Sequence, residues 1–234
     1  MDRERELKII RRAYAKQVAA AAGVGAPRIE AAFAAVARED YLGPGPWQIV
    51  HWGGGYRATP GADPVYLYTD DVIAIVPERN LNNGQPSLHA ALIAAAAPQP
   101  GEHVVHVGAG VGYYTAILAE LVGAEGRVTA IEFDAELAAR AAVNLAQTLH
   151  VRALHGDGTR VVFDLADVIY VNAGHDAARG CLARGPEGEG KADPAIDGGR
   201  ISTPRRSARG GVPDRATWLG IFRAPDLWGR DLSL

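Results

Sequence analysis

The stretch Val104-Val105-His106-Val107-Gly108-Ala109-Gly110-Val111-Gly112-Tyr113-Tyr114-Thr115-Ala116 constrains this chain more than any other. A β-branched run ends in alternate glycines, and an apolar helical pattern then continues from Tyr113 to Val122, before Gly123. The run reads as a buried strand and the pattern as a helix. Glycine at 108, 110 and 112 lets the chain leave a strand sharply and lets a ligand approach the backbone. A tight β–α turn without a ligand would show the same glycines. Spacing narrows the choice. The dinucleotide fingerprint G-x-G-x-x-G has its third glycine one position later, where this chain has Tyr113, which argues against NAD. No Gly-Lys-Ser/Thr follows, so the loop is not a phosphate-binding P-loop.

Two further signals follow. Arg127 to Ile131 reads as a second strand with Glu132 at its end. A carboxylate there can accept hydrogen bonds from both hydroxyls of a ribose, and a solvated strand-end acid is the plainer alternative. Val151 to Leu154 reads as a third strand, followed by His155-Gly156-Asp157-Gly158. An acid flanked by glycines can reach an adenine amino group, or can simply make a turn. Asp134 to Thr148 reads as a helix with Asp134 as its N-cap, and Asp167 to Val171 as a fourth strand. Alternating strands and helices predict a parallel sheet with right-handed crossovers. The three signals then share its carboxyl edge, where open α/β sheets bind ligands.

Upstream, residues 3–22 and 27–39 read as helices, the second with Ile29, Phe33 and Val36 on one face. Residues 43–61 are rich in Gly and Pro and carry Trp47, Trp52 and Tyr56. These rings are expected mainly to pack the loop down. Ser87 to Ala97 reads as a helix, broken by Pro98-Gln99-Pro100-Gly101. The organisation expected is a helical and loop region over 1–85 on the acceptor side, a cofactor-binding domain over 86–174, and an atypical Gly/Arg/Pro-rich tail over 175–234. The tail is expected to be disordered, because its composition buries too little surface to offset its ordering entropy. Trp218 to Phe222 is its one apolar cluster, and a strand there is the competing reading.

With 234 residues, 48% of them hydrophobic, the chain can build one domain with a core and an appendage. A net charge of −3 gives no sign of a nucleic-acid or anionic-membrane partner. Cys181 is the sole cysteine, which excludes an internal disulfide and an all-Cys metal site, and no metal is expected. The charged N-terminus lacks a signal-peptide core, and the longest apolar stretch, Ala90 to Ala97, is far short of a membrane span. A cytoplasmic protein is expected.

These residues together resemble the protein-L-isoaspartate (D-aspartate) O-methyltransferases, within the Rossmann-like class I methyltransferase fold. The glycine loop with Tyr113-Tyr114-Thr115-Ala116 resembles that family's G-x-G-x-G-Y stretch, and Gly156-Asp157-Gly158 its G-D-G. Ala37-Arg38-Glu39-Asp40-Tyr41-Leu42 is similar to its P-R-E-x-F segment, Tyr68-Thr69-Asp70 to its Y-x-D, and Gln85-Pro86 to the end of its T-I-S-Q-P motif. The resemblance implies a doubly wound, mostly parallel sheet and S-adenosylmethionine as cofactor. It places the cofactor on Gly108, Ala109, Gly110, Gly112, Tyr113, Glu132, Phe133, Gly156, Asp157 and Gly158. Asn83, Gly84 and Gln85 are the candidate acceptor loop. The implied activity is O-methylation of isoaspartyl carboxylates in damaged proteins or peptides.

The chain departs from the family pattern twice. Asn82-Asn83-Gly84 stands where the family has T-I-S, so the hydroxyl beside the methyl-transfer site is missing and Gly84 takes its place. On sequence alone, Gly84→Ser is expected to raise activity on isoaspartyl peptide, or at least not to lower it. Beyond Gly174 the strands that complete a class I sheet are not evident, which reads as a frame disruption or a disordered tail on a reduced fold. Two alternatives stay open: a methyltransferase acting on another small-molecule or peptide acceptor, and a degenerate, non-catalytic cofactor-binding protein.

Overall fold

The N-terminal segment, charged at first and then alanine-rich, forms α1 (Arg3–Ala21) in a computed structural model that describes residues 2–51, 54–174 and 217–223. Helix α2 (Pro27–Ala35) starts on a proline and stops at Val36, whose backbone is extended, and α3 (Glu39–Leu42) follows. The single helix expected over 27–39 is therefore broken. The break turns Arg38 inward, where it is fully buried and donates to the carbonyls of Leu67, Thr69 and Asp71 at 2.6, 3.0 and 2.9 Å. Strands β1 (Gln48–Val50) and β2 (Tyr56–Ala58) form an antiparallel hairpin inside the region read as loop, and β3 (Ala74–Val76) pairs with β4 (Leu81–Asn82). Strands of two or three residues are too short to show a period of two. Trp47 packs as expected. It is 5% exposed, lies in a cluster with Leu42, Leu67 and Ile73, and donates Nε1–H to the Gly43 carbonyl at 2.9 Å. Tyr56 sits in β2 opposite Val50, and Trp52 lies outside the described residues.

The larger sheet follows α4 (Pro86–Ala96). Its elements are β5 (His103–Val107), α5 (Tyr113–Val122), β6 (Arg127–Glu132), α6 (Ala135–Asn144), β7 (Val151–His155), β8 (Val168–Gly174) and β9 (Thr217–Arg223). Asp134 caps α6, its Oδ1 accepting from the amides of Glu136 and Leu137 at 3.0 Å. The strand order is β7-β6-β5-β8-β9, with β5 parallel to both β6 and β8. The chain thus runs outward from β5 through β6 to β7 and returns to the other side of β5, so the order reverses between β5 and β8. Such a reversal opens a crevice at the strands' carboxyl ends. Helices α1, α2, α4, α5 and α6 share one core cluster with Val104, Val128, Val168 and Tyr170 of the sheet. On the other face Val105, Val107, Ile131, Ile169 and Val171 pack with Ala166, and Val161 and Phe163 from the same segment lie against them.

The expectation that the sheet lacks strands beyond its fourth is corrected by β9. It pairs antiparallel with β8 over the full register, from Val168 opposite Arg223 to Gly174 opposite Thr217. Arg223 anchors the strand: its guanidinium donates to the carbonyls of Ala96 and Ala97 at 2.6 and 2.7 Å and pairs with Glu102. Pairing along seven residues satisfies an edge that the sequence appeared to leave open. The remaining tail, 175–216 and 224–234, lies outside the described residues, so the disorder expected there concerns positions the structure does not describe. Among the described residues no helix is long and apolar enough to cross a membrane, and no group of three or more His, Cys, Asp or Glu could hold a metal ion.

Candidate active site

The glycine loop leaves β5 with Gly108, Gly110 and Gly112 at φ +78°, +58° and +94°, all left-handed. The reason for glycine differs between Gly112 and Gly110. At Gly112, the N-cap of α5, a Cβ would come within 2.8 Å of Leu145, so α6 could not pack as closely. At Gly110 a Cβ would meet only Ile75 Cδ1, at 3.8 Å. The space in front of Gly110 is therefore open, and apart from its left-handed backbone no packing contact asks for glycine there. Tyr113 and Ala109 are buried, so their side chains serve packing.

Glu132 ends β6 beside this loop. Its carboxylate accepts from the Gly110 amide at 2.7 Å and from the Asp134 amide at 2.9 Å, which ties the second strand end to the first. The next residue, Phe133, is 74% exposed, an unusual position for a phenylalanine and one that a flat ligand would cover. The third strand end is joined by the Gly156 amide, which donates to the Glu132 carbonyl at 2.9 Å. Gly156 and Gly158 are both required by contact: a Cβ would come within 2.6 Å of Val161 at the first and 2.5 Å of Val107 at the second. Asp157 is turned into its own loop, where Oδ1 accepts from the Thr159 hydroxyl at 2.7 Å and amide at 2.9 Å. The Thr159 hydroxyl, then the amide, hold this carboxyl below its ordinary range.

The loop over 82–87 lies on the other side of the glycines. Asn83 is buried; its amide donates to the Ile73 carbonyl and its Oδ1 accepts from the Ile73 amide, both at 2.9 Å. Gln85 is the N-cap of α4, and Ser87 lies within that helix as the sequence suggests. Asp70 fixes this start: it accepts from the Ser87 amide at 2.7 Å, the Ser87 hydroxyl at 2.6 Å and Gln85 Nε2 at 3.0 Å. Two contacts bring loop and glycines together. Ile75, beside β4, faces Gly110, and the Tyr114 hydroxyl at the start of α5 donates to the Gly84 carbonyl at 3.5 Å.

Gly84 has φ +71°, and a Cβ there would fall 2.2 Å from His89 Nε2. The sequence-based expectation for Gly84→Ser is thereby reversed. A serine meets both a disfavoured backbone and a buried ring, at a cost of about 1–3 kcal/mol for the strain alone. Gly84→Ser is expected to lower the melting temperature and to lower activity, and thermal denaturation checks the first. His89 itself was not singled out by sequence reasoning. It is 1% exposed, and His106 is fully buried with Nδ1 2.8 Å from the Thr115 hydroxyl, the packed histidine that its strand position suggests. Burial pushes both imidazoles down to about 3, with His106 and Arg38 contributing at His89. Unfolded, each takes up a proton near 6.5. Between the two values the unfolded chain binds more protons, so stability falls as pH drops below 6.5, by up to about 1.4 kcal/mol per unit for each histidine. Denaturant midpoints at pH 7, 6 and 5 should decline steadily, and a flat series would contradict the buried neutral pair.

A family model for protein-L-isoaspartate(D-aspartate) O-methyltransferase matches residues 59–183, more than half of the chain. The chain belongs to this family. Within it, a curated protein-L-isoaspartate O-methyltransferase of Methanopyrus kandleri is 44% identical over 78 residues, covering 32% of this chain and 34% of the relative. The chain thus spans about a third of the length of that relative. A solved protein-L-isoaspartate O-methyltransferase superposes with a TM-score of 0.52 at 26% identity, over 64% of this chain and 44% of that one. A Plasmodium falciparum structure, assigned as the same enzyme and holding S-adenosyl-L-homocysteine, gives a TM-score of 0.56 at 16% identity, over 74% and 78%. The second likeness concerns the fold alone. The O-methyltransferase family model matches over both the glycine loop and the loop over 82–87, which the contacts of Ile75 and Tyr114 bring together.

Proposed function

We propose that the chain binds S-adenosylmethionine across the carboxyl ends of β5, β6 and β7 and directs its methyl group to an isoaspartyl carboxylate of a cytoplasmic protein or peptide. The observation that carries this reading is the open left-handed turn at Gly110, with the Glu132 carboxylate held beside it at 2.7 Å. The residues fit the cofactor. Gly108, Ala109, Gly110 and Gly112 would cradle its amino-acid and ribose portion, Glu132 the ribose hydroxyls, exposed Phe133 one face of the adenine, and the Gly156-Asp157-Gly158 turn its edge. Tyr113 supports this cradle from the core, through the α5 start, rather than by contact.

Bound, the cofactor supplies an electrophilic methyl group on a sulfonium. An isoaspartyl carboxylate is already ionised at neutral pH, so no residue need act as general base. The chain contributes alignment and exclusion of water. Asn83, Gly84 and Gln85 shape the acceptor side, and Asp70 holds that loop on the α4 N-terminus. Glu132→Ala should weaken cofactor binding by about 1–3 kcal/mol, the cost of losing hydrogen bonds to a charged group. Isothermal calorimetry with S-adenosylmethionine checks it, and unchanged affinity would remove Glu132 from the site.

A further inference from the structure

Resting on that functional reading, we propose that His89 supplies the hydrogen-bond donor the acceptor loop lacks at position 84, and so determines how the acceptor carboxylate is held. The family places a hydroxyl there, and this chain has Gly84. The space is not empty. His89 Nε2 lies 2.2 Å from where a Cβ at 84 would be, about where a serine hydroxyl would reach. The ring is held on two sides. It stacks on Tyr114 with centroids 3.6 Å apart and planes within 8°, and its Nδ1 is 2.6 Å from the Tyr170 hydroxyl. Tyr114 in turn donates to the Gly84 carbonyl, so ring and loop are linked through its side chain.

The chemistry of that pair sets the tautomer. In this proposal the Tyr170 hydroxyl donates its hydrogen bond to Nδ1, which leaves the proton of the neutral imidazole on Nε2. Nε2–H is then a donor directed at the side-chain position that Gly84 leaves empty, and the ring itself is 1% exposed. A carboxylate acceptor is complementary to such a donor. Burial keeps the ring neutral, so it orients the carboxylate without adding a full positive charge that would blunt the nucleophile. In the transfer the C–S bond breaks and a C–O bond forms. The electron pair of the broken bond stays on sulfur, the carboxylate supplies the pair for the new one, and no proton leaves His89.

The test uses labelled S-adenosylmethionine, an isoaspartyl peptide and four forms of the chain: unmodified, His89→Leu, His89→Gln and Tyr170→Phe. His89→Leu should lower kcat/KM about 10- to 100-fold, mainly through KM, with cofactor affinity unchanged. His89→Gln, which keeps a donor, should recover part of the loss, and Tyr170→Phe should fall between. Equal kcat/KM for His89→Leu and the unmodified chain would overturn the assignment while leaving the functional reading intact. An unmodified chain that binds cofactor but methylates no isoaspartyl peptide would sink the functional reading and this assignment with it. A measurement without substitutions covers the case of unstable variants. Nitrogen-15 spectra should show His89 protonated on Nε2 at pH 7, with that resonance shifting on addition of isoaspartyl peptide and S-adenosylhomocysteine. A proton on Nδ1, or an unmoved resonance, would overturn the assignment.

Discussion

Gly110→Val is expected to abolish S-adenosylmethionine binding while leaving the chain folded. The substitution separates ligand from fold because the protein has room for the side chain: a Cβ at 110 meets only Ile75 Cδ1, at 3.8 Å. At φ +58° a non-glycine residue costs about 1–2 kcal/mol, more for a branched one, so some loss of melting temperature accompanies it. The loss of binding should be far larger, at least about 100-fold, because the valine methyls occupy the space the ligand needs beside the Gly110 amide. Gly110→Ala, with less strain and less bulk, should fall between. Calorimetry on both variants and a thermal melt distinguish the effects. A valine variant that binds like the unmodified chain would show that the ligand lies elsewhere.

Arg38→Met is expected to cost about 3 kcal/mol of stability or more, since each buried carbonyl left without a donor costs about 1–3 kcal/mol. The guanidinium is 0% exposed and bonds three carbonyls, those of Leu67, Thr69 and Asp71. It also lies over the rings of Tyr14 and Tyr113 at 5.9 and 5.8 Å. Methionine fills the volume and leaves all three carbonyls without a donor in the core. The bonded segment carries Asp70, which holds Ser87 and Gln85, so the acceptor loop should loosen as well. Urea denaturation reads the first effect, and a change below about 1 kcal/mol would contradict the role given to Arg38.

The strands and helices around the glycine loop were legible because each signal is local. A β-branched run, alternate glycines and an apolar helix fix β5, the turn and α5 without reference to the rest of the chain. Asp134 as the α6 cap is legible for the same reason. Contacts between distant segments were not. Arg38 reads as an ordinary charged residue after a helical pattern, and only Leu67, Thr69 and Asp71 show why the helix breaks before it. His89 lies on a helix whose pattern is simply apolar, and its neighbours Gly84, Tyr114 and Tyr170 come from three other elements. Strand β9 is only weakly legible, because its seven residues stand alone in a Gly/Arg/Pro-rich stretch and its partner β8 ends more than forty residues earlier. The Gly84→Ser expectation changes for a related reason: a motif comparison aligns residue types and carries neither φ nor the ring behind the loop.

Transfer of a labelled methyl group tests the central claim most directly. The chain is incubated with S-adenosylmethionine tritiated on the methyl group, alongside an isoaspartyl peptide, its normal aspartyl counterpart and a set of small carboxylates. Base-labile tritium should appear in the isoaspartyl peptide alone, as expected of a methyl ester, and should disappear with Gly110→Val. Label confined to the other acceptors would contradict isoaspartyl specificity, and no label in any acceptor, despite cofactor binding by calorimetry, would contradict the assignment of a methyl-transfer reaction to this site.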